Sequence, residues 1–221
     1  MKIINDLLNY MVNNVSLILN YGETHFSLIF SAVLISLLLW IPLGIVISRN
    51  EKWSSLVLGI ANTLFCIPSL ALFAIFVTLP FLGLGRKSAL LALVLYAMMP
   101  MVINVYQGIK VVDKNVIEAA KGMGMNSNQI LKEIQLPLAA PVMFAGVRIT
   151  VVMATGIAAI AAYIGERNLG RLITEGLTRS NTEMILTGAL LIAIIAIFLD
   201  TVLGFVEKAL VPKGLKIDRS N

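Results

Sequence analysis

The 221-residue sequence predicts an all-α integral membrane protein: five transmembrane helices, with a cytoplasmic helix-turn-helix insert between spans three and four. Three observations carry this. Hydrophobic residues make up 58% of the chain and charged residues only 13%, about half the charge of an ordinary soluble domain. Mean hydropathy is +0.91. The sequence also falls into five long apolar windows, and one polar stretch, 113–137, separates the third from the fourth.

The windows are 24–48, 53–85, 88–109, 134–165 interrupted by Arg148, and 184–206 interrupted by Asp200. A crossing needs about 20 apolar residues, so each window holds one span. The second is too short for two crossings and a turn, and it predicts a single helix tilted or kinked around Pro68, followed by an outer turn at Pro80, Gly83 and Gly85. An odd number of spans puts the termini on opposite sides. Ten Lys and Arg residues fall on one side (Arg49, Lys52, Lys110, Lys114, Lys121, Lys132, Lys208, Lys213, Lys216, Arg219) and six on the other (Lys2, Arg86, Lys87, Arg167, Arg171, Arg179). Basic loops stay in the cytoplasm, so the N-terminus is expected outside and the tail 209–221 inside.

Residues 1–25 read as a retained segment, since Asn5, Asn9, Asn13 and Asn14 interrupt the apolar run and no small-residue cleavage site follows. Ile4, Leu7, Leu8, Met11, Val15 and Ile18 recur at helical spacing opposite an Asn-rich face. That suits an amphipathic helix lying in the outer interface, or one packed on the first span. The membrane-spanning body would then occupy 26–208. In the fourth span Ala154, Ala158 and Ala162 form a small-xxx-small stripe, which lets helices approach closely. A central position is expected for it, facing either its own bundle or a second subunit.

The insert opens at Asp113, a good N-cap for a short helix ending near Lys121. Gly122 and Gly124 break the helix, and Asn126 or Ser127 can cap a second one that should end near Pro137. Val116, Ile117, Ala120, Met123 and Met125 offer an apolar edge, which suits either docking onto a cytoplasmic partner or packing on the chain's own spans.

Several chemistries lack the residues they need. The single Cys66 cannot form an intrachain disulfide or a thiolate metal site. The formal charge of +5 is scattered between apolar runs, which argues against a nucleic-acid partner. The lone His25 has no catalytic dyad, and there are no paired carboxylates for a membrane enzyme. Gly83-Leu84-Gly85-Arg86-Lys87-Ser88 lacks P-loop spacing. A secondary transporter would show inverted repeats and coupled intramembrane charges, and neither is evident here. A scaffold without transport activity remains compatible with composition.

Glu118-Ala119-Ala120-Lys121-Gly122-Met123-Gly124-Met125, followed by Ile134-Gln135-Leu136-Pro137-Leu138-Ala139-Ala140-Pro141, resembles the EAA loop of permease subunits of ATP-binding cassette importers. Ile67-Pro68-Ser69-Leu70-Ala71-Leu72, Ala145-Gly146-Val147-Arg148, the 157–165 stretch and the tail Val211-Pro212-Lys213-Gly214-Leu215 fit as well. Together they resemble the osmoprotectant branch, which imports glycine betaine, carnitine, choline or related quaternary ammonium compounds. The likeness runs from about residue 26 to 215.

The resemblance implies a pathway made with a second permease, identical or paralogous. Cytoplasmic ATPase subunits would carry ATP and Mg, and an extracytoplasmic protein would bind the solute, leaving no cofactor on this chain. It makes Glu118 to Met125 the ATPase-coupling site, and Pro68, Ser69, Tyr96, Arg148 and Tyr163 the pathway candidates. Two departures, Glu166-Arg167-Asn168 where the family runs to glycine and Phe65-Cys66 before Ile-Pro, bear on the solute carried. Another small solute such as an amino acid is the alternative cargo. Arg148 suits a structural or inner-mouth role better than contact with a cation it would repel. Asp200 could pair with it or line the pathway, though a helix-end role toward the cytoplasm fits its position best.

Overall fold

The computed structural model describes residues 2–210, whose regular structure is all helical, with no strand among the described residues. The tail motif 211–215 and the rest of the expected cytoplasmic tail lie outside them. The helices are α1 Lys2–Asn13, α2 Val15–Ile47, α3 Glu51–Cys66, α4 Ser69–Val77, α5 Arg86–Lys110, α6 Lys114–Gly122, α7 Ser127–Gln129, α8 Leu136–Ile160, α9 Gly170–Thr178 and α10 Thr182–Leu210. A π turn, Ile130–Gln135, joins α7 to α8, and a 3₁₀ turn, Ala161–Ile164, extends α8.

Four helical stretches are long and apolar enough to cross a membrane: α2, α5, the unit 127–164 and α10. The second apolar window is α3 followed by α4, bent by 93°. The expected kink at Pro68 is thus a full break. Ile67 and Pro68 both adopt extended backbone, with ψ of 127° and 134°, because proline cannot donate to a preceding turn and pushes the residue before it out of the helical region. Counting the bent pair as one crossing gives five.

The first span begins earlier than residue 26. Its helix breaks at Asn14, whose side chain donates to the Tyr10 carbonyl at 2.8 Å, and then runs unbroken through His25. The 33 residues of α2 extend for about 50 Å at 1.5 Å per residue, well beyond a ~30 Å hydrocarbon core. What reads in sequence as a separate segment 1–25 is therefore α1 plus the first third of α2. Tyr10, Leu17 and Ile18 pack there with Tyr21, Leu172 and Met184.

The centre of the bundle is α5, the third span, and not the small-residue fourth. Two-thirds of its apolar window is buried. Close approach is bought by glycine on both flanks. A Cβ on Gly44 of α2 would sit 2.7 Å from Val105, and one on Gly146 of α8 would sit 2.5 Å from the Asn104 Cβ. Ala154 and Ala158 of α8 point into this same core beside Leu28, Ala92 and Tyr96, so that stripe serves the chain's own bundle.

Ion pairs and hydrogen bonds sort the loops into two ends. Arg49 donates to Asn128 at 3.0 Å, and Lys110 lies 4.0 Å from Glu51. These put the α2–α3 loop and the insert at one end. At the other, Arg86 reaches Ser27 at 2.7 Å and Glu166 at 3.4 Å, and the Gly85 amide donates to the Ile164 carbonyl at 2.8 Å.

Candidate coupling site

The insert is built from local signals. The Asp113 carboxylate accepts from the Asn115 amide at 2.8 Å and opens α6, satisfying a donor that the first helical turn leaves free. At the other end Gly124 takes a φ of +86°. The Met125 amide returns to the Ala120 carbonyl at 3.1 Å, and the Gly124 amide to Lys121 at 2.9 Å. This is a Schellman closure, and it needs a residue without Cβ at the left-handed position. Gly122, expected to help break the helix, lies inside α6 as its last residue, with open space where a side chain would project.

Two residues on, Asn126 and Gln129 form a reciprocal capping box. The Asn126 oxygen accepts from the Asn128 and Gln129 amides, both at 3.0 Å, and the Gln129 side chain accepts from the Asn126 amide at 2.8 Å. The second arm does not end at Pro137, as the sequence suggests. The Leu136 amide bonds back to Leu131, five residues earlier. This wider register leaves room for the proline ring and for its missing donor, and the helix continues without interruption into α8. Ile130 and Leu131 are buried, the latter with Val105, Ile109 and Ala139, so the arm is rooted in the core.

The eight candidate residues divide by exposure. Ala120 is fully buried, where α6 rests on the π turn, so it belongs to the seat of the helix and not to the docking edge expected of it. Glu118, Ala119, Lys121, Gly122, Met123 and Gly124 are exposed, with Met123 at 75%, and Met125 is half-buried. The result is a short, doubly capped helix whose outer face is open and whose inner face rests on a rigid span.

The five pathway candidates occupy three places. Pro68 and Ser69 form the α3–α4 break. Tyr96 of α5 stands beside it, buried, with its hydroxyl donating to the freed Ile67 carbonyl and its ring edge-on to Phe65 at 6.0 Å. Tyr163 lies in the 3₁₀ turn at the opposite end of the bundle from the insert, 60% exposed. Arg148 is at the middle of α8. Its Nε and Nη2 donate to the two oxygens of Asp200, each at 2.9 Å, and Nη1 donates to Glu207 at 2.9 Å. Asp200 therefore lies well inside α10 and pairs with Arg148, instead of marking a helix end.

Sequence reading did not single out Glu207 or Gly204, over which the guanidinium lies, with a Cβ at Gly204 falling 3.6 Å from Cζ. The spacing Asp200, Gly204, Glu207 repeats at four and three residues and was the available signal. Also missed was α9, tied in by buried Asn168, which donates to the Ala158 carbonyl at 2.7 Å and accepts from the Gly170 amide at 2.8 Å. Beside it Glu166 is 6% exposed. Burial raises its carboxyl above the ordinary carboxylate range, and Arg86 only partly opposes this. Among the described residues no group of three His, Cys, Asp or Glu side chains is placed to hold a metal ion.

An all-helical bundle of apolar spans with a capped, outward-facing helix between two of them defines the membrane-spanning part of a transporter. The chain belongs to the family described as binding-protein-dependent transport system inner membrane component, whose model matches residues 40–215, and it is a multi-pass inner-membrane protein. It is 38% identical over 192 residues to the choline transport system permease protein OpuBB of Bacillus subtilis, covering 87% of this chain and 88% of that one. To the glycine betaine/carnitine/choline transport system permease protein OpuCB of the same organism it is 35% identical over 212 residues, covering 96% and 97%. The fold matches a chain of the inward-facing MetNI methionine ABC transporter with a TM-score of 0.79 at 20% identity, covering 90% of this chain and 98% of that one.

Proposed function

We propose that this chain forms the membrane pathway of an ATP-binding cassette importer for quaternary ammonium osmoprotectants such as glycine betaine, carnitine or choline. Its partners are a second copy or a paralogous permease, cytoplasmic ATPase subunits that hold ATP and Mg, and an extracytoplasmic solute-binding protein. The N-terminus faces outward and the tail inward, in line with the ten-to-six distribution of basic residues.

The observation that carries the reading is the α6 apex. A helix closed at both ends and seated by buried Ala120 presents Glu118, Lys121 and Met123 outward. Seated in a groove on an ATPase, it transmits displacement as a rigid body, because its second arm runs into α8 without a hinge. Support for the cargo comes from the choline and glycine betaine/carnitine/choline relatives. It also comes from the Phe65–Tyr96 aromatic pair beside the α3–α4 break, since ring faces attract an ammonium that has no N–H to donate.

The test is reconstitution of the permease with its ATPase and binding protein in vesicles. ATP-driven accumulation of radiolabelled choline or glycine betaine is expected. Glu118→Lys should lower it at least about tenfold, the effect of losing roughly 1.4 kcal/mol at a docking charge, with membrane insertion unchanged. Uptake driven by an ion gradient without ATP, or normal uptake by the variant, would overturn the reading. An epitope on the tail that is accessible from outside intact cells would overturn the orientation.

A further inference from the structure

The triad of Arg148, Asp200 and Glu207 is the most connected ionic feature of the described residues. Arg148 grips Asp200 side-on through two nitrogens and reaches Glu207 with a third, all at 2.9 Å. The two acids are seven residues apart, two helical turns on one face of α10, and Gly204 between them leaves a flat bed for the guanidinium. The two carboxylates hold three of the five donor hydrogens in a fixed plane. The group is thereby committed to α10 and unsuited to meeting a cationic solute.

Position gives this tie a mechanical meaning. Arg148 lies 12 residues beyond Leu136, about 18 Å up a helix that begins at the insert. On the insert side of α10, Ile197, Phe198, Phe205 and Val206 face outward, and on its inner face half-buried Leu199 and Leu203 supply the apolar contact beside the triad. Apolar surfaces slide past one another. A two-toothed guanidinium fork does not, because a slip of one turn, about 5.4 Å, would break both pairs at once. The three side chains are only partly buried, Arg148 at 33% and Asp200 at 40% exposure, so the distinctive contribution assigned to the cluster is the register fixed by its geometry.

We propose that the triad is a transmission joint: it makes α8 and α10 move as one body, so that displacement of the insert reaches the last span, with Arg148 acting as a positioning residue and not as a solute contact. The proposal rests on the coupling role assigned to α6.

The test uses the complete importer, permease with ATPase and binding protein, in proteoliposomes. Solute uptake and ATP hydrolysis are measured on the same preparation and normalised to assembled complex. Arg148→Gln should reduce uptake per ATP at least about fivefold, the lower end of ordinary coupling between sites, with an unchanged KM for solute. Exchanging the charges, Arg148→Asp with Asp200→Arg, should recover part of the ratio.

Parallel loss of uptake and hydrolysis would reduce the triad to a stability element. A changed KM with an intact ratio would make Arg148 a solute contact, and unaltered transport would also overturn the joint. If Arg148→Gln does not assemble, Arg148→Lys keeps the charge without the fork and is read by the same ratio. It should fall, and an intact ratio overturns the proposal. A wild-type complex that does not couple ATP to uptake overturns the functional reading and the joint with it. A coupled wild type with an unaltered variant overturns the joint alone.

Discussion

Gly122 and Gly124 are two residues apart, yet substitution at each should act through a different physical cause. Gly124 sits at φ +86° and no neighbouring atom lies within 4 Å of its added Cβ. Gly124→Ala therefore meets no clash and costs only the left-handed backbone penalty, about 1–2 kcal/mol. Gly122 is a helical residue in equally open space, and Gly122→Ala should stabilise α6 by up to about 1 kcal/mol. Gly122→Trp keeps the helix and puts a large side chain on the docking face.

Hydrogen exchange of the permease in lipid nanodiscs reads the first pair. The Met123 and Gly124 amides, bonded to Ala119 and Lys121, should exchange about 5- to 30-fold faster in Gly124→Ala and up to about 5-fold slower in Gly122→Ala, by the conversion of 1.4 kcal/mol to tenfold. ATP-driven uptake reads the third variant, which should lose transport while keeping at least wild-type amide protection. Equal protection in Gly124→Ala would refute the requirement for left-handed backbone. Normal uptake by Gly122→Trp would refute docking on this face.

Two further predictions concern the opposite end. In Gly170→Ala the new Cβ would fall inside van der Waals contact of the Ala159 carbonyl, with that residue's C and Cα 2.6 Å away. Backbone cannot yield there, so the variant should lose about 3 kcal/mol or more, read as a lower melting temperature in detergent, and an unchanged melt would contradict the packing of α9 on α8. The second follows from Glu166, whose folded carboxyl titrates above its ordinary value because of burial. Its proton favours the folded state, so stability present below the unfolded pKa is lost as pH rises through the folded one. Glu166→Gln should remove that decline, and its melting temperature relative to wild type should rise from pH 4 to pH 8. A constant difference would show that the Arg86 pair cancels the effect of burial, and a falling one that it outweighs burial.

What could be read from sequence was whatever is decided within a few residues. The Asp113 cap, a cap at Asn126 or Ser127 and a kink at Pro68 depend on side chains acting on neighbouring backbone, and the residue types announce them, though not that the kink is a full break. The apolar windows announce spans for the same reason. Pro137 misled because its local rule, that proline ends a helix, was overridden by a π turn whose cause is tertiary: Leu131 and Ala139 must both reach the core of α5. Arg148 and Asp200 are 52 residues apart, and nothing local says that they meet. The central place of α5 was hidden because it follows from Gly44 and Gly146 on its neighbours. Helix α9 was hidden because Asn168, its anchor, reads as a loop residue until the Ala158 carbonyl is beside it.

The extra residue held by the π turn has a consequence for how this segment can change over time. Leu131 and Ala139 are eight apart, which in a plain α-helix would place them about 80° out of phase at roughly 100° per residue. Setting aside the one residue absorbed by the wider turn leaves seven steps, about 20° out of phase, so both side chains face inward. The turn thus acts as a phase corrector between the docking helix and the span. A one-residue deletion within 132–135, made together with replacement of Pro137, which ordinary helix would not accommodate, would keep every downstream side chain correctly aimed. The same deletion a few residues further along would rotate Gly146, Arg148 and Ala154 off their partners together, so gaps between relatives are expected at the former place and not the latter.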